Sequence, residues 1–342
     1  MNRRRGLVLG GLLLALAAAV IVAVGVGTVP IRPWDTLRLV AWKLGLAARP
    51  VGVPESTAVI LFELRVPRVA LGVVVGAALA VSGTLFQALF RNPMADPAII
   101  GVSSGAALGA IAVILATGGA LSGGLAVSAA AFAGAVVVAF GVYRLARIGP
   151  AVQVATLLLA GIAVASVLSS VITMLMASSG EQIRSIYFWL LGGLQARGWD
   201  AVAASGPLVV VGVAVALLEI RDLNLVSLGE ERAAQLGLEV ERFKRTSLGV
   251  GALLAAAAVS VAGVIGFVGL MTPHILRLVV GADHRHLLPA SVVAGAILMV
   301  LADLAARTIV APEEIPVGAV TALLGGPFFL YLLRRQRGAV RA

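Results

Sequence analysis

Residues 98–143 carry no charged side chain. Wound as a single α-helix at 1.5 Å per residue, such a run would reach about 70 Å, more than twice the roughly 30 Å of hydrocarbon in a bilayer. It is therefore expected to cross a membrane and fold back once, at the glycines around Gly118, Gly119, Gly123 and Gly124. The rest of the chain agrees in character. Sixty per cent of residues are apolar and 12% charged, with a mean hydropathy of +1.06, whereas soluble domains carry about 25% charged residues. A water-soluble globule could not cover so much apolar surface.

Further apolar runs lie at about 7–29, 68–90, 151–177, 201–219, 247–269, 288–308 and 317–334, with a shorter one at 273–282. Each long run meets the requirement of about 20 residues for a crossing. Arg3, Arg4 and Arg5 precede the first run, and Arg334, Arg335 and Arg337 follow the last. Basic residues collect on the cytoplasmic side of membrane proteins, so both ends are expected inside, the number of crossings is even, and ten is the better count. That topology puts Arg91, Arg144, Arg147, the segment 219–245 and Asp283–His286 inside. The segments 30–67, 178–200 and 307–316 then fall outside, although Arg32, Lys43, Arg49 and Arg65 lie on the first of them and Arg68 at its edge. The N-terminal apolar run extends beyond the roughly 7–15 residues of a secretory signal core, so a retained first helix is expected. The net charge of +10 is thus assigned to membrane topology and not to nucleic acid.

Forty glycines point to helices packed backbone to backbone. The small-residue spacing Gly72/Gly76, Gly101/Gly105 and Gly105/Gly109 predicts close approach on one face of the second and third spans, as ordinary helix packing. Val81-Ser-Gly-Thr-Leu-Phe86 weakly echoes Val261-Ala-Gly-Val-Ile-Gly266, each being followed by a proline-containing break (Asn92-Pro93 and Thr272-Pro273). In the expected topology the two copies run in opposite directions, the arrangement of an inverted repeat.

Pro93 and Pro97 interrupt Leu89-Phe-Arg-Asn-Pro-Met-Ala-Asp-Pro-Ala98, which reads as a cytoplasmic turn or as a rigid elbow. Ser227 and Glu230 have capping-box spacing and Gly237 is a natural stop, so a short helix is expected over about 228–236 and a second over 238–245. Such helices could lie in the headgroups or dock a soluble partner. Arg65 and Arg68 could be snorkelling at the interface. Asp303 and Arg307, one turn apart, can pair. Asp283, His284 and His286 are weak candidates for metal ligands, and His274 reads as a packing residue.

The absences restrict the chemistry. There is no cysteine, so no thiolate nucleophile and no cysteine-ligated metal or cluster. The only lysines, Lys43 and Lys244, follow Trp42 and Phe243, so no phosphate-binding loop exists and the chain is not itself a P-loop ATPase. Gly101-Val-Ser-Ser-Gly105 fits a nucleophile elbow only formally, because it lies in an uncharged helical run.

The motifs Arg65-Val-Pro-Arg68, Gly83-Thr-Leu-Phe-Gln87, Asn92-Pro-Met-Ala-Asp-Pro97, Gly101-Val-Ser-Ser-Gly-Ala106, Leu228-Gly-Glu-Glu-Arg-Ala233, Gly266-Phe-Val-Gly-Leu270, Pro273-His-Ile-Leu-Arg277, Asp283-His-Arg285 and Glu314-Ile-Pro-Val-Gly318 occur in this order along nearly the whole chain. Together they resemble the permease family of ABC importers for iron-siderophores, haem and vitamin B12, with Met94 standing where the family usually has leucine. The resemblance implies an all-α polytopic membrane protein: one permease domain over residues 1–342, about ten transmembrane helices and short cytoplasmic coupling helices in a segment of about 226–245. It implies no catalytic residue and no cofactor. Implied partners are a second permease subunit, two cytoplasmic ABC ATPase subunits, an extracytoplasmic substrate-binding protein and membrane lipid, in a bacterial or archaeal cytoplasmic membrane. Residue by residue, it implies ATPase coupling by Leu228, Gly229, Glu230, Glu231, Arg232, Ala233, Gln235 and Leu236. It also implies outward-facing docking contacts from Arg65, Arg68 and Arg307, and a structural elbow at Asn92, Pro93, Asp96 and Pro97. The pathway would be lined by span five around 157–176 and by a short outer helix near 189–194. The main rival is an ion-coupled secondary transporter, which would need intramembrane carboxylates; an integral membrane enzyme would need a polar catalytic cluster.

Overall fold

The computed structural model describes residues 2–27, 29–121, 124–148 and 151–340; Gly123 and the side chains of Arg3, Arg4, Arg335 and Arg337 lie outside the described residues. Its helices are α1 (Asn2–Gly25), α2 (Pro33–Lys43), α3 (Glu55–Val59), α4 (Val66–Leu89), α5 (Val102–Ala116), α6 (Leu125–Leu145), α7 (Val154–Ala177) and α8 (Ile183–Leu191). They continue as α9 (Trp199–Leu218), α10 (Ile220–Val226), α11 (Glu230–Gln235), α12 (Val240–Ala262), α13 (Val268–Val280), α14 (His284–Thr308) and α15 (Val317–Val340). A π-helical turn, Ile60–Arg65, joins α3 to α4 without a break. One two-residue antiparallel pair, Arg147–Ile148 with Ala151–Val152, is the strand content of the described residues.

Seven of these helices are long and apolar enough to cross a membrane, and three shorter apolar ones over Val102–Ala116, Val268–Val280 and Val317–Leu332 complete the expected ten. The uncharged run does fold back. Its turn begins at Gly118 and Gly119, which hold φ of +59° and +85°, values open to glycine at little steric cost.

Burial is uneven. Within the long apolar windows, 83% of the α4 residues are buried but only 11% of α1 and 17% of α7. Helix α4 is therefore the hub, packed by α14, α12, α13, α9 and α1. Glycine makes this closeness available. A Cβ on Gly76 would stand 2.2 Å from the carbonyl oxygen of Gly295 in α14, and one on Gly83 only 1.8 Å from that of Gly269 in α13. The same device joins α5 to α6, where Gly105 faces the Gly134 carbonyl at 2.5 Å and Gly109 faces that of Ala130 at 2.1 Å. The expected small-residue spacing is thus used for packing, and Gly101 and Gly105 have no sign of a nucleophile elbow about them. Polar ties lock the hub further: Ser82 Oγ donates to the Gly251 carbonyl at 2.6 Å, and Arg277 Nη1 donates to Gln87 Oε1 at 2.7 Å.

Three local expectations are corrected. Thr272-Pro273 is not a break, since both residues lie inside α13; the interruption is the segment 263–267, where Gly263 and Phe267 have positive φ. No separate helix forms over 238–245, because Val240 already starts the continuous α12. The short outer helix ends at Leu191 and not near 194, stopped by Gly192 at φ +68°.

Gly83→Ala is expected to lower thermal stability by about 1–3 kcal/mol through overpacking. Gly141→Ala on α6, where a Cβ would meet nothing within 4 Å, should leave it unchanged. Unfolding followed by tryptophan fluorescence in detergent would check the contrast; equal behaviour of the two variants would refute the close-approach account of the hub.

Candidate functional site

Antiparallel α4 and α14 define two ends of the bundle. At one end Arg91, just after α4, sets its Nη1 3.6 Å from the position of a Cβ on Gly229, and Asn224 of α10 holds the start of α14. At the other end Arg68 of α4 meets Asp303 of α14.

The first end carries the expected coupling segment. Ser227 does not cap α11: its hydroxyl donates to the Asn224 carbonyl, and the capping position belongs to Gly229 at φ +107°. Glu230 is occupied instead by Lys244 in the first turns of α12, with Nζ to Oε2 at 2.7 Å, and Lys244 also reaches Glu241 Oε1 at 3.2 Å. A six-residue helix is marginal by itself. Here it is fixed by this ion pair, by the buried Ala233 and by Gly237, whose φ of +85° ends it as expected. What remains outward is Leu228 and Leu236, 52% and 55% exposed, with Glu231, Arg232 and Gln235 exposed beside them. Two exposed leucines bracketed by charge form a surface suited to a protein groove.

The elbow lies alongside. Asn92 Oδ1 accepts from the Met94 N–H at 2.9 Å, and Asp96 Oδ1 accepts from the Ala98 N–H at 2.8 Å, capping a 3-10 turn over Pro97–Ile100. Pro93 lies outside the helices and Pro97 opens the 3-10 turn, a first position whose N–H would have no partner within the turn, so neither gives up a ladder bond. A Cβ on Gly161 of α7 would be 2.2 Å from the Ile99 carbonyl oxygen, so the elbow is wedged against α7. A cleft of about 420 Å3, lined by Arg91, Gln153, Glu230, Glu241 and Lys244 among others, lies where elbow, α7 and coupling segment converge.

Next to it, Asn224 clamps the turn between α13 and α14. Its Nδ2 donates to Asp283 Oδ1 at 2.9 Å, and its Oδ1 accepts from the His284 backbone N–H at 2.9 Å. Asp283 caps α14 by accepting from the Arg285 N–H at 3.0 Å, and that hydrogen bond holds its carboxyl below the usual carboxylate range. Among the described residues no group of three His, Asp or Glu side chains is placed to hold a metal ion. His274 is buried edge-on against Phe328, with its Nδ1 lacking a partner.

At the second end the structure departs from expectation. Arg65, Arg68 and Arg307 do not face outward. Arg65 is 6% exposed and donates to the carbonyls of Val24, Gly25 and Val29; Arg307 is 3% exposed and donates to that of Ala23. The last carbonyls of a helix are without intrahelical partners and carry the negative end of its dipole, which is why two guanidiniums settle on the end of α1. Arg68 takes Asp303 through Nε at 3.0 and 3.1 Å and Nη2 at 2.9 Å, and takes Glu314 through Nη1 at 2.9 Å. The expected Asp303–Arg307 pair exists but is the longer one, at 3.6 Å. This clasp accounts for two of the basic residues that stood against the topology rule: Arg65 caps and Arg68 is neutralised, whereas Arg32, Lys43 and Arg49 are exposed.

The comparisons follow this geometry. A family model for the FecCD transport family matches residues 14–335. The chain belongs to that family. Among curated proteins it is 49% identical to the cobalamin import system permease protein of Halobacterium salinarum, over 88% of this chain and 79% of that one. It is 45% identical to the hemin transport system permease protein of Yersinia pestis, over 81% and 84%. It is 36% identical to the Fe(3+) dicitrate transport system permease protein of Escherichia coli, over 95% and 97%. A solved structure described as an inward-facing conformation of a metal-chelate type ABC transporter superposes with a TM-score of 0.82 at 29% identity, covering 96% of this chain and 98% of that one. The protein is accordingly a helical membrane permease of the FecCD transport family.

Lys244 and Asn224 are absent from the sequence-derived set, and so is the pairing of Arg68 with Asp303 and Glu314. A lysine just before an apolar span was a usable signal for the first; the other two depend on partners far away in the chain. Arg68→Ala removes the nearer of the two partners of the buried Asp303 carboxylate and is expected to cost about 3–5 kcal/mol. Adding Asp303→Asn should restore part of the loss, as read by thermal unfolding; an Arg68→Ala protein as stable as the parent would show the clasp to be inert. Leu228→Ala with Leu236→Ala should leave stability unchanged and weaken ATPase association, whereas Lys244→Met should raise hydrogen exchange across 228–238.

Proposed function

We propose that this protein is the membrane-spanning permease subunit of an ATP-driven importer that moves a metal chelate into the cytoplasm. It works as a pair of permease chains with two ATPase subunits on the α11 end and an extracytoplasmic binding protein on the clasp end. Both termini are then cytoplasmic. The observation that carries this is the presented coupling helix: α11 exposes Leu228 and Leu236 while Glu230 ties it by an ion pair to Lys244 of α12. A push on α11 is thereby passed to a spanning helix, and through Asn224 to the start of α14. The elbow Asn92–Pro97 stands beside it as a stiff link from α4 to α5. The chain's lack of a phosphate-binding loop means that the energy comes from a separate subunit.

Coupling is assigned to Leu228, Glu231, Arg232, Gln235 and Leu236 as contacts, with Gly229, Glu230 and Ala233 holding them in place. At the clasp end Arg65, Arg68 and Arg307 shape the docking surface from beneath. The cargo is a chelate of the kind named for its relatives: cobalamin, haem or ferric citrate. An ion-coupled carrier would need a titrating carboxylate within the membrane; Asp303 is held by two arginines.

The test is uptake into proteoliposomes containing the permease, its ATPase and its binding protein, with hemin, ferric dicitrate and cyanocobalamin as probes. ATP-dependent accumulation of one of them is expected, abolished without nucleotide. Accumulation against a gradient by the permease alone would overturn the proposal.

A further inference from the structure

Helices α6 and α12, both long enough to span a membrane, lie against each other and leave a groove of about 290 Å3 towards the α11 end. Its walls include Val136, Phe140 and Tyr143 of α6 with Leu248 and Leu253 of α12. Apart from the Tyr143 hydroxyl and Arg245, the lining residue nearest the start of α12, every lining side chain is apolar. From Arg245 to Leu253 the helix rises about 12 Å, so the groove runs from a span end into the hydrocarbon layer. Gly249 keeps it open. A Cβ on Gly251, two residues on, would press on the Phe86 ring at 2.7 Å, whereas one on Gly249 would meet nothing within 4 Å. Gly249 therefore brings no neighbouring helix closer; the side chain it lacks is empty space in the groove wall.

Two cations flank this groove. Arg245 is exposed, and Arg144, exposed at the end of α6, lies over the Phe140 ring at 5.1 Å. Neither takes part in an ion pair among the described residues. The carboxylate one turn before Arg245, that of Glu241, is bonded to Lys244 at 3.2 Å. An apolar slot that ends at two guanidiniums selects its occupant by chemistry. Its walls exclude a polar solute, and a lipid without net charge leaves the cations unmatched. Guanidinium forks match phosphate oxygens, and basic sites between spanning helices hold anionic headgroups. A second copy of this chain fits poorly, because a two-fold contact sets the same patch, with the same cations, against itself.

We propose that the groove between α6 and α12 is a binding site for one anionic phospholipid, an acyl chain lying along Phe140, Gly249 and Leu253 and the phosphate held by Arg245 and Arg144. Arg245 directly follows Lys244, whose ammonium holds Glu230 of α11. The bound phosphate therefore sits on the turn of α12 that positions the coupling helix. The site goes beyond the importer assignment and stands without it, since its occupation requires neither nucleotide nor cargo nor partner subunits.

The delipidated full-length permease in detergent is titrated with palmitoyl-oleoyl phosphatidylglycerol or phosphatidylcholine, and retained lipid is read by native mass spectrometry. One phosphatidylglycerol per chain is expected to bind about tenfold more tightly than phosphatidylcholine. Arg144→Gln with Arg245→Gln should erase that preference and leave phosphatidylcholine binding as it was. Gly249→Leu, which fills the groove and raises helix propensity, should weaken both lipids about tenfold on a folded chain. If the double arginine variant is not monodisperse, Gly249→Leu carries the test. Equal retention of the two lipids by the parent overturns the proposal, as does an undiminished preference in the arginine variant or unaltered lipid binding in Gly249→Leu. Glycerophosphoglycerol, the headgroup without chains, should not compete at equal concentration; if it does, the arginines form a bare anion site and the proposal falls. A change of oligomeric mass in Gly249→Leu assigns the groove to contact between chains and overturns it equally.

Discussion

Inside a bilayer two helices gain nothing from hiding apolar surface from water, because lipid is equally apolar; what holds them together is closeness. The close approach of α4 to α13 and α14, at Gly83 against Gly269 and Gly76 against Gly295, is the constraint on which the rest of this structure depends. Without side chains at those points the backbones come near enough for dispersion along the whole interface. Ser82 and Gln87 then reach backbone carbonyls of neighbouring helices, turning proximity into register. Helix α7, outside this hub, and α1, which touches it at one edge, keep most of their surface for lipid or for another chain.

A rigid hub gives the two ends of the molecule a mechanical relation. At one end a helix too short to be stable alone is fixed by Lys244; at the other, three arginines bind α1, α4 and α14 into one corner. Buried ion pairs contribute little net stability when intact, yet removing one partner leaves an uncompensated charge. Their use here is positional. Arg68 fixes α4 against α14, and Asn224 fixes α14 against the segment that leads to α11. A displacement at the α11 end therefore has a continuous route through hydrogen-bonded and close-packed elements to the clasp end, the route that the proposed coupling would use.

Much of this was legible in the chain. Hydropathy placed ten apolar helices, and the fold-back of the long uncharged run fell at Gly118 and Gly119 as expected. The motif order identified the family. Residue roles were less legible. Glu230 looked like the acidic half of a capping box and proved to be the partner of Lys244, because a buried ammonium competes for it more strongly than a backbone N–H. Arg65, Arg68 and Arg307 looked like outward contacts, since long basic side chains near a span end usually snorkel to water. They turn inward because the end of α1 and the carboxylate of Asp303 offer acceptors that only the folded arrangement brings near.

The sequence by itself determined that the protein is an apolar, helical membrane permease and to which family it belongs, since these follow from local features: apolar length against bilayer thickness and motifs contiguous in the chain. Only the tertiary structure decided which glycines carry the packing, which ions are paired and where two arginines flank one groove. Those properties depend on residues up to 284 positions apart, as in Arg307 and the Ala23 carbonyl, and no local pattern encodes a distance between helices that meet only after the chain has folded.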